Sequence, residues 1–237
     1  MPFLMIRNDI TKVAADAIVN PANRNLLQGS GTSRAIYQAA GEQELTAACE
    51  AIGRCDLGRA VCTPAFGLPA TYIFHAVCPA WHGGGFGEAE QLAGAYHSAL
   101  ELAAEYHCES VAFPLLSSGN YGYPKEQAFR IAVDTITQYV MEHDLTVYLV
   151  LYDQHSLAVS RKLFAKYNKV GCSFMCRVLR LNRCSMQSGC LRYAASVPSI
   201  GITPLLTTEI LGSNTATRRG LCGAVGCLDV LRLDHEY

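Results

Sequence analysis

A three-layer α/β sandwich is the fold this chain predicts, and three observations carry that prediction. Short apolar runs bounded by Gly, Pro, Asn and Asp recur through residues 1–167, with helical patterns between them. Several of the runs are apolar throughout, as strands covered on both faces are. Two glycine-containing loops each follow a strand and precede a helix, which places candidate ligand groups along one edge of the sheet.

The elements follow in chain order. Residues 3–7, 15–20, 58–63, 70–77, 110–116 and 146–152 are rich in Ile, Val, Phe, Tyr and Leu and read as six strands. Residues 33–40 and 42–52 read as two short helices. Residues 88–107 carry Leu92, Ala95, Tyr96, Ala99, Leu100 and Ala103 at helical spacing. Residues 124–142 open with Pro124 at a suitable first helical position and continue through Ala128, Ile131, Ala132, Thr135, Ile136 and Tyr139. Residues 156–167 close the series with a last helix.

The character changes after Tyr167. Residues 168–237 carry eight Lys/Arg against four Asp/Glu and lack convincing amphipathic periods, so they read as an irregular, poorly ordered, basic, Cys-rich tail. Their six cysteines, Cys172, Cys176, Cys184, Cys190, Cys222 and Cys227, do not show the paired spacing of a zinc site. No metal and no cofactor is expected. Cys49, Cys55, Cys62, Cys78 and Cys108 are scattered through strand and helix patterns and read as buried reduced thiols.

Bulk properties exclude some partners. A net charge of −1 argues against a nucleic-acid partner held through phosphate neutralisation. No apolar run approaches the ~20 residues a membrane span requires. The sequence Met-Pro-Phe-Leu-Met-Ile-Arg lacks the basic and apolar regions of a signal peptide. The expectation is a cytoplasmic monomer.

The chemistry concentrates in a few stretches. The run Asp16 to Asn23 is an apolar strand ending in Asn20 and Asn23, and it delivers Gly29-Ser30-Gly31-Thr32 to a helix start. Glycines there let backbone N–H groups approach an anion, and the helix N-terminus adds positive partial charge. Ser117-Ser118-Gly119-Asn120-Tyr121-Gly122-Tyr123-Pro124 repeats that setting, and two such loops suggest a ligand with two phosphates. Asn23 is the better ligand contact of the two asparagines, and Asn20 the better loop tie. Asp9 can cap its own turn or accept from an exocyclic amine such as that of adenine. Tyr121, among glycines and serines, reads as an exposed turn residue able to pack on a sugar. Tyr152-Asp153 ends the last strand on the edge shared with Asp9. No Gly-Lys-Ser/Thr sequence is present, which argues against P-loop chemistry.

Residues 1–167 resemble a macrodomain, the ADP-ribose-binding fold. The matching pieces are Asn8-Asp9-Ile10-Thr11, Asp16 to Asn23, and Gly29–Thr32 followed by Ala35-Ile36-Tyr37 and Ala39-Ala40-Gly41. Gly58-Arg59-Ala60 with Thr63-Pro64, Phe74-His75-Ala76-Val77, Phe113 to Tyr123 and Tyr152-Asp153 complete the series. The resemblance implies a three-layer α/β/α sandwich with a central mixed six-stranded sheet. It implies adenine recognition by Asp9 with Ile10 beside it, and packing of Tyr152 near the base. Gly29, Ser30, Gly31 and Thr32 would surround the diphosphate and distal ribose. Ser117, Ser118, Gly119, Asn120 and Tyr121 would supply the second phosphate loop. Asn23 would contact the distal ribose and is the candidate catalytic residue.

One departure bears on the reaction. The hydrolytic branch of that family runs Gly-Gly-Gly-Gly-Val-Asp-Gly where this chain has Gln28-Gly29-Ser30-Gly31-Thr32-Ser33-Arg34. Ser33 replaces the acid, and a serine is no general base near neutral pH without an activating partner. His75 sits on an apolar strand and reads as a core histidine. Hydrolysis of ADP-ribosyl linkages on a protein or small metabolite would then rest on positioning, with the ligand's own phosphate orienting water. The alternatives are a non-catalytic ADP-ribose reader and a phosphatase for ADP-ribose 1″-phosphate. Trp81-His82-Gly83-Gly84-Gly85-Phe86-Gly87 reads as an ordinary glycine-rich link, or as a flap near the site.

Overall fold

A computed structural model describes residues 3–154, 156–160, 162 and 231–234. Its strands are β1 (Phe3–Ile6), β2 (Ala17–Ala22), β3 (Ala60–Pro64), β4 (Tyr72–Val77), β5 (Ser110–Pro114), β6 (Thr146–Val150) and β7 (Leu231–Asp234). Its long helices are α1 (Thr32–Ala40), α2 (Glu42–Ile52), α3 (Glu88–Glu105) and α4 (Lys125–Val140), and residues 154, 156–160 and 162 are also helical. All six predicted strands are present, and so are the helices between them. Pro124 stands one residue earlier than expected, at the N-cap of α4 with extended backbone (ψ 120°). A seventh strand, not foreseen, comes from Leu231–Asp234 and pairs in parallel with β1. Otherwise the Cys-rich stretch 168–237 lies outside the described residues.

The sheet order is β3-β4-β2-β5-β6-β1-β7, and only β3 runs antiparallel to its neighbour. The alternation of side chains along each strand divides the core in two. Ala17 and Val19 of β2, Phe74 and Ala76 of β4, and Val111 and Phe113 of β5 face α3 and α4. Ile18, Ala22, Ile73, Val77 and Ala112 face the other side, where Ile36, Tyr37, Leu45 and Cys49 of α1 and α2 cover them. Helices on both faces of a sheet make the three layers. Four of the five N-terminal cysteines are buried, Cys62 is partly so, and all five are free thiols.

Two details of the sheet prepare the site. Pairing between β2 and β5 stops at Ile18↔Ala112, although β2 continues to Ala22. Pro21, with no N–H to donate, falls in that unpaired stretch, so the strands separate where a proline can be accommodated. Chain connections leave for opposite sides of the sheet at this point, which is where open α/β sheets form a crevice.

Close packing of α3 onto the turn before β3 uses two glycines. A Cβ on Gly94 would lie 3.0 Å from the Gly58 carbonyl oxygen. Gly94→Ala would gain about 1 kcal/mol of helix propensity but lose roughly 1–3 kcal/mol to overpacking against rigid backbone. A lowered thermal midpoint is therefore expected for Gly94→Ala. A raised midpoint would show that α3 can move away freely.

Candidate functional site

Five segments leave the same edge of the sheet. Their order follows from the strand order: Trp81–Gly87 after β4, Asn23–Gly31 after β2, Leu115–Tyr123 after β5, Tyr152–Asp153 after β6 and Asn8–Thr11 after β1. Strands ~4.8 Å apart spread these ends over roughly 19 Å, which suits an elongated ligand.

Asp9 caps its own turn and keeps one carboxylate oxygen to spare. Oδ1 caps the short 3-10 turn Ile10–Lys12 by accepting from Thr11 N (3.0 Å) and Thr11 Oγ1 (2.8 Å). Oδ2 has no partner among the described residues, so one carboxylate oxygen remains for an exocyclic amine. The Ile10 side chain is buried in the core beside Ile36 and Val150. What Ile10 can offer a ligand is its backbone N–H, which donates to no other described residue. Tyr152 is 76% exposed at the neighbouring strand end and presents an open ring face. Asp153 beside it accepts from Ser156 N (2.8 Å) and from Lys125 Nζ (2.9 Å). Its desolvation works against ionisation, but the hydrogen bonds from Ser156 and Lys125 and the Lys125 charge outweigh it and hold the carboxyl well below the usual range.

The first glycine loop is held from within. Asn23 Oδ1 accepts from Asn25 N (3.1 Å) and Leu27 N (3.2 Å), and Nδ2 donates to the Leu27 carbonyl (2.7 Å). One N–H of the Asn23 amide is left for a ligand. Tyr37 O–H, on α1, donates to the Leu26 carbonyl (2.7 Å) and ties the loop to the helix. Ser33 is 3% exposed, and its Oγ accepts from Gly29 N (3.1 Å). The residue at the acid's position thus braces the loop, and Gly29 N–H is spent on it. The N–H groups of Ser30 and Gly31 have no partner among the described residues, and Gly31 adopts φ +60°, which glycine tolerates.

The second loop directs its hydroxyls away from the crevice. Ser117 Oγ donates to the Pro79 carbonyl (2.9 Å) and Ser118 Oγ to the Leu115 carbonyl (2.8 Å). Ser117 has φ +60°, a conformation a serine holds only when its surroundings impose it. No N–H from Ser118 to Tyr121 donates to another described residue, so the loop offers backbone donors as an anion nest does. Asn120 Nδ2 donates to Ser30 Oγ and joins the two loops. Tyr121 is not the exposed turn residue that its neighbours suggested. It is half-buried and packs against the larger core cluster.

Beneath the loops lies a polar cluster that sequence reasoning resolved only in part. Asn20 is buried, and its Nδ2 donates to His75 Nδ1 (3.0 Å). His75 Nε2 then carries the proton and donates to Thr63 Oγ1 (2.9 Å). Burial lowers the His75 pKa to about 4, which makes it a weak base, and with the ring buried and both nitrogens engaged it is no general base for the site. Asn20 ties down interior structure, as expected, but through a histidine rather than the loop backbone. Among the described residues no group of three or more His, Cys, Asp or Glu is arranged to hold a metal ion, and no helix is long and apolar enough to cross a membrane.

Comparison with known proteins agrees with this geometry. The family model for the Macro domain matches residues 19–132. The chain is 45% identical over 169 residues to an O-acetyl-ADP-ribose deacetylase of Klebsiella pneumoniae, covering 69% of this chain and 96% of the relative. The macrodomain of Oceanobacillus iheyensis, solved with ADP, superposes with a TM-score of 0.66 at 34% identity, covering 70% of this chain and 92% of that one. The macrodomain of Trypanosoma brucei, solved in complex with ADP-ribose, superposes with a TM-score of 0.62 at 30% identity, covering 68% of each chain. The chain belongs to the macro domain family.

Proposed function

We propose that the crevice binds ADP-ribose and that the protein hydrolyses a linkage at the distal ribose. The observation that carries the reading is the pair of loops at the β2/β5 separation, joined by Asn120 and Ser30 and carrying backbone N–H groups with no partner among the described residues, with the Asp9 carboxylate further along the same edge. On this reading the base lies by Asp9, Ile10 and Tyr152, the diphosphate between the two loops and the distal ribose towards β2 and β4, an arrangement that the strand order supports. The deacetylase relative supports ester hydrolysis as the class of reaction. In that reaction a water oxygen attacks the acyl carbon, the ester bond breaks, and the ribose oxygen leaves with a proton.

On this reading Ser33, which accepts a backbone hydrogen bond, and His75, which is buried with both ring nitrogens engaged, do not serve as base. Water is then oriented by the ligand's own phosphate while Asn23 holds the distal ribose, which is catalysis by positioning. The absence of an acid at Ser33 equally favours a second reading, a non-catalytic reader of ADP-ribosylated partners through the same crevice.

Calorimetric titration with ADP-ribose tests the shared core, and no heat at millimolar ligand refutes both readings. Release of ADP-ribose from a modified substrate separates them. Asn23→Ala removes three hydrogen bonds of its own loop together with the ligand contact. It is expected to lose roughly 100-fold in release, well beyond any loss in binding of ADP, which lacks the distal ribose and reports only the loosened loop. Undiminished release by Asn23→Ala excludes its catalytic role, and an inert wild type that still binds ADP-ribose leaves the reader.

A further inference from the structure

The segment Trp81–Gly87 looks free in sequence, with four glycines in seven residues. In the structure it is gathered onto one side chain. Glu88, the first residue of α3, is 1% exposed and turns its carboxylate back into the loop. Oε1 accepts from His82 N (3.0 Å) and Gly84 N (3.1 Å), and Oε2 accepts from Phe86 N (2.7 Å). Three donors on alternate residues of a five-residue stretch leave the loop little freedom. Burial alone would raise the Glu88 carboxyl, but donation from the backbone of Glu88, Phe86, His82 and Gly84 outweighs it and lowers the pKa to about 2. The carboxylate therefore stays charged, and charge-assisted hydrogen bonds are the stronger kind.

The loop so held touches the binding site. Trp81 N donates to the Tyr121 carbonyl (2.8 Å), and the Trp81 and Tyr123 rings lie 4.6 Å apart. Gly84 packs under the indole, where a Cβ would lie 2.9 Å from Trp81 Cη2. The loop leaves β4, at the end of the crevice assigned to the distal ribose.

We propose that Glu88 is a positioning residue: it fixes the Trp81–Gly87 loop as the wall at the distal-ribose end of the crevice. This rests on the ADP-ribose reading above. Glu88 acts through Trp81 and the Tyr121 carbonyl, so it selects for a ligand that carries the second ribose over one that ends at the diphosphate.

Titration of the whole chain with ADP-ribose and with ADP, for wild type, Glu88→Gln and Gly84→Ala, tests this. Trp81 is the single tryptophan of the chain, so its emission and its quenching by acrylamide report the loop directly. Glu88→Gln should shift Trp81 emission to the red, increase its quenching, and weaken ADP-ribose roughly 10-fold while ADP stays within about twofold. Gly84→Ala keeps the Glu88 side chain but crowds the indole and strains the loop backbone at φ +87°, and it should do the same. It decides the question if Glu88→Gln does not fold. Equal losses for both ligands, or an unchanged ratio in a variant whose Trp81 has moved, overturn the proposal. Wild type that binds neither ligand overturns the ADP-ribose reading itself, before any variant is compared.

Discussion

Asp9→Asn should weaken ADP-ribose binding by roughly 10- to 100-fold and leave the fold intact. The two effects separate because the two carboxylate oxygens do different work. Oδ1 caps the turn through Thr11, and asparagine caps as well as aspartate does. Oδ2 is the oxygen assigned to the exocyclic amine of adenine. In the variant that position becomes an N–H donor facing an N–H donor. A hydrogen bond to a charged group contributes about 1.5–3 kcal/mol, which sets the range of the loss. The inosine analogue, with a carbonyl in place of the amine, supplies the control. It should bind wild type poorly and Asp9→Asn better. Equal discrimination by both proteins would place the base elsewhere.

His75 carries the second large expectation, on stability against pH. Its pKa falls to about 4 when folded, from an ordinary value of 6.5, because the ring is buried. Between those values the unfolded chain takes up a proton that the folded chain excludes, so stability falls as pH drops from 6.5 towards 4. The shift corresponds to about 3 kcal/mol at full effect. Urea unfolding of wild type at intervals across that window should show the decline. His75→Asn has no such group and should decline less by about that amount, even if it starts lower for want of the Thr63 and Asn20 hydrogen bonds. A difference between the two proteins that stays constant with pH would mean that the histidine is protonated inside the fold.

The sheet was legible because burial on two faces leaves an unmistakable mark: Ala17 to Val19, Phe74 to Val77 and Val111 to Phe113 have no polar alternation to mislead. The first glycine loop was legible as a turn because few residues other than glycine suit its backbone at Gly31. What escaped depends on contacts between distant residues. Nothing near Ser33 announces that it accepts from Gly29, and nothing near Tyr121 announces that it packs against the core. Strand β7 escaped because one short run inside a basic, irregular stretch does not show its partner. The Glu88 anchor left a faint signal, an acid in the first turn of a helix just after glycines, which is also what an ordinary helix start looks like.

The polarity of the sheet divides the molecule by consequence. Strands β2, β4, β5, β6 and β1 all point the same way, so every segment that can meet the ligand leaves from one rim. The turns at the other rim, such as Glu142–Leu145 before β6, only close the architecture. Sequence drift at that rim can alter how long the protein lasts but not what it recognises, whereas drift at the first rim can change the ligand without disturbing the frame. One scaffold can in this way acquire a new chemistry while keeping its old shape.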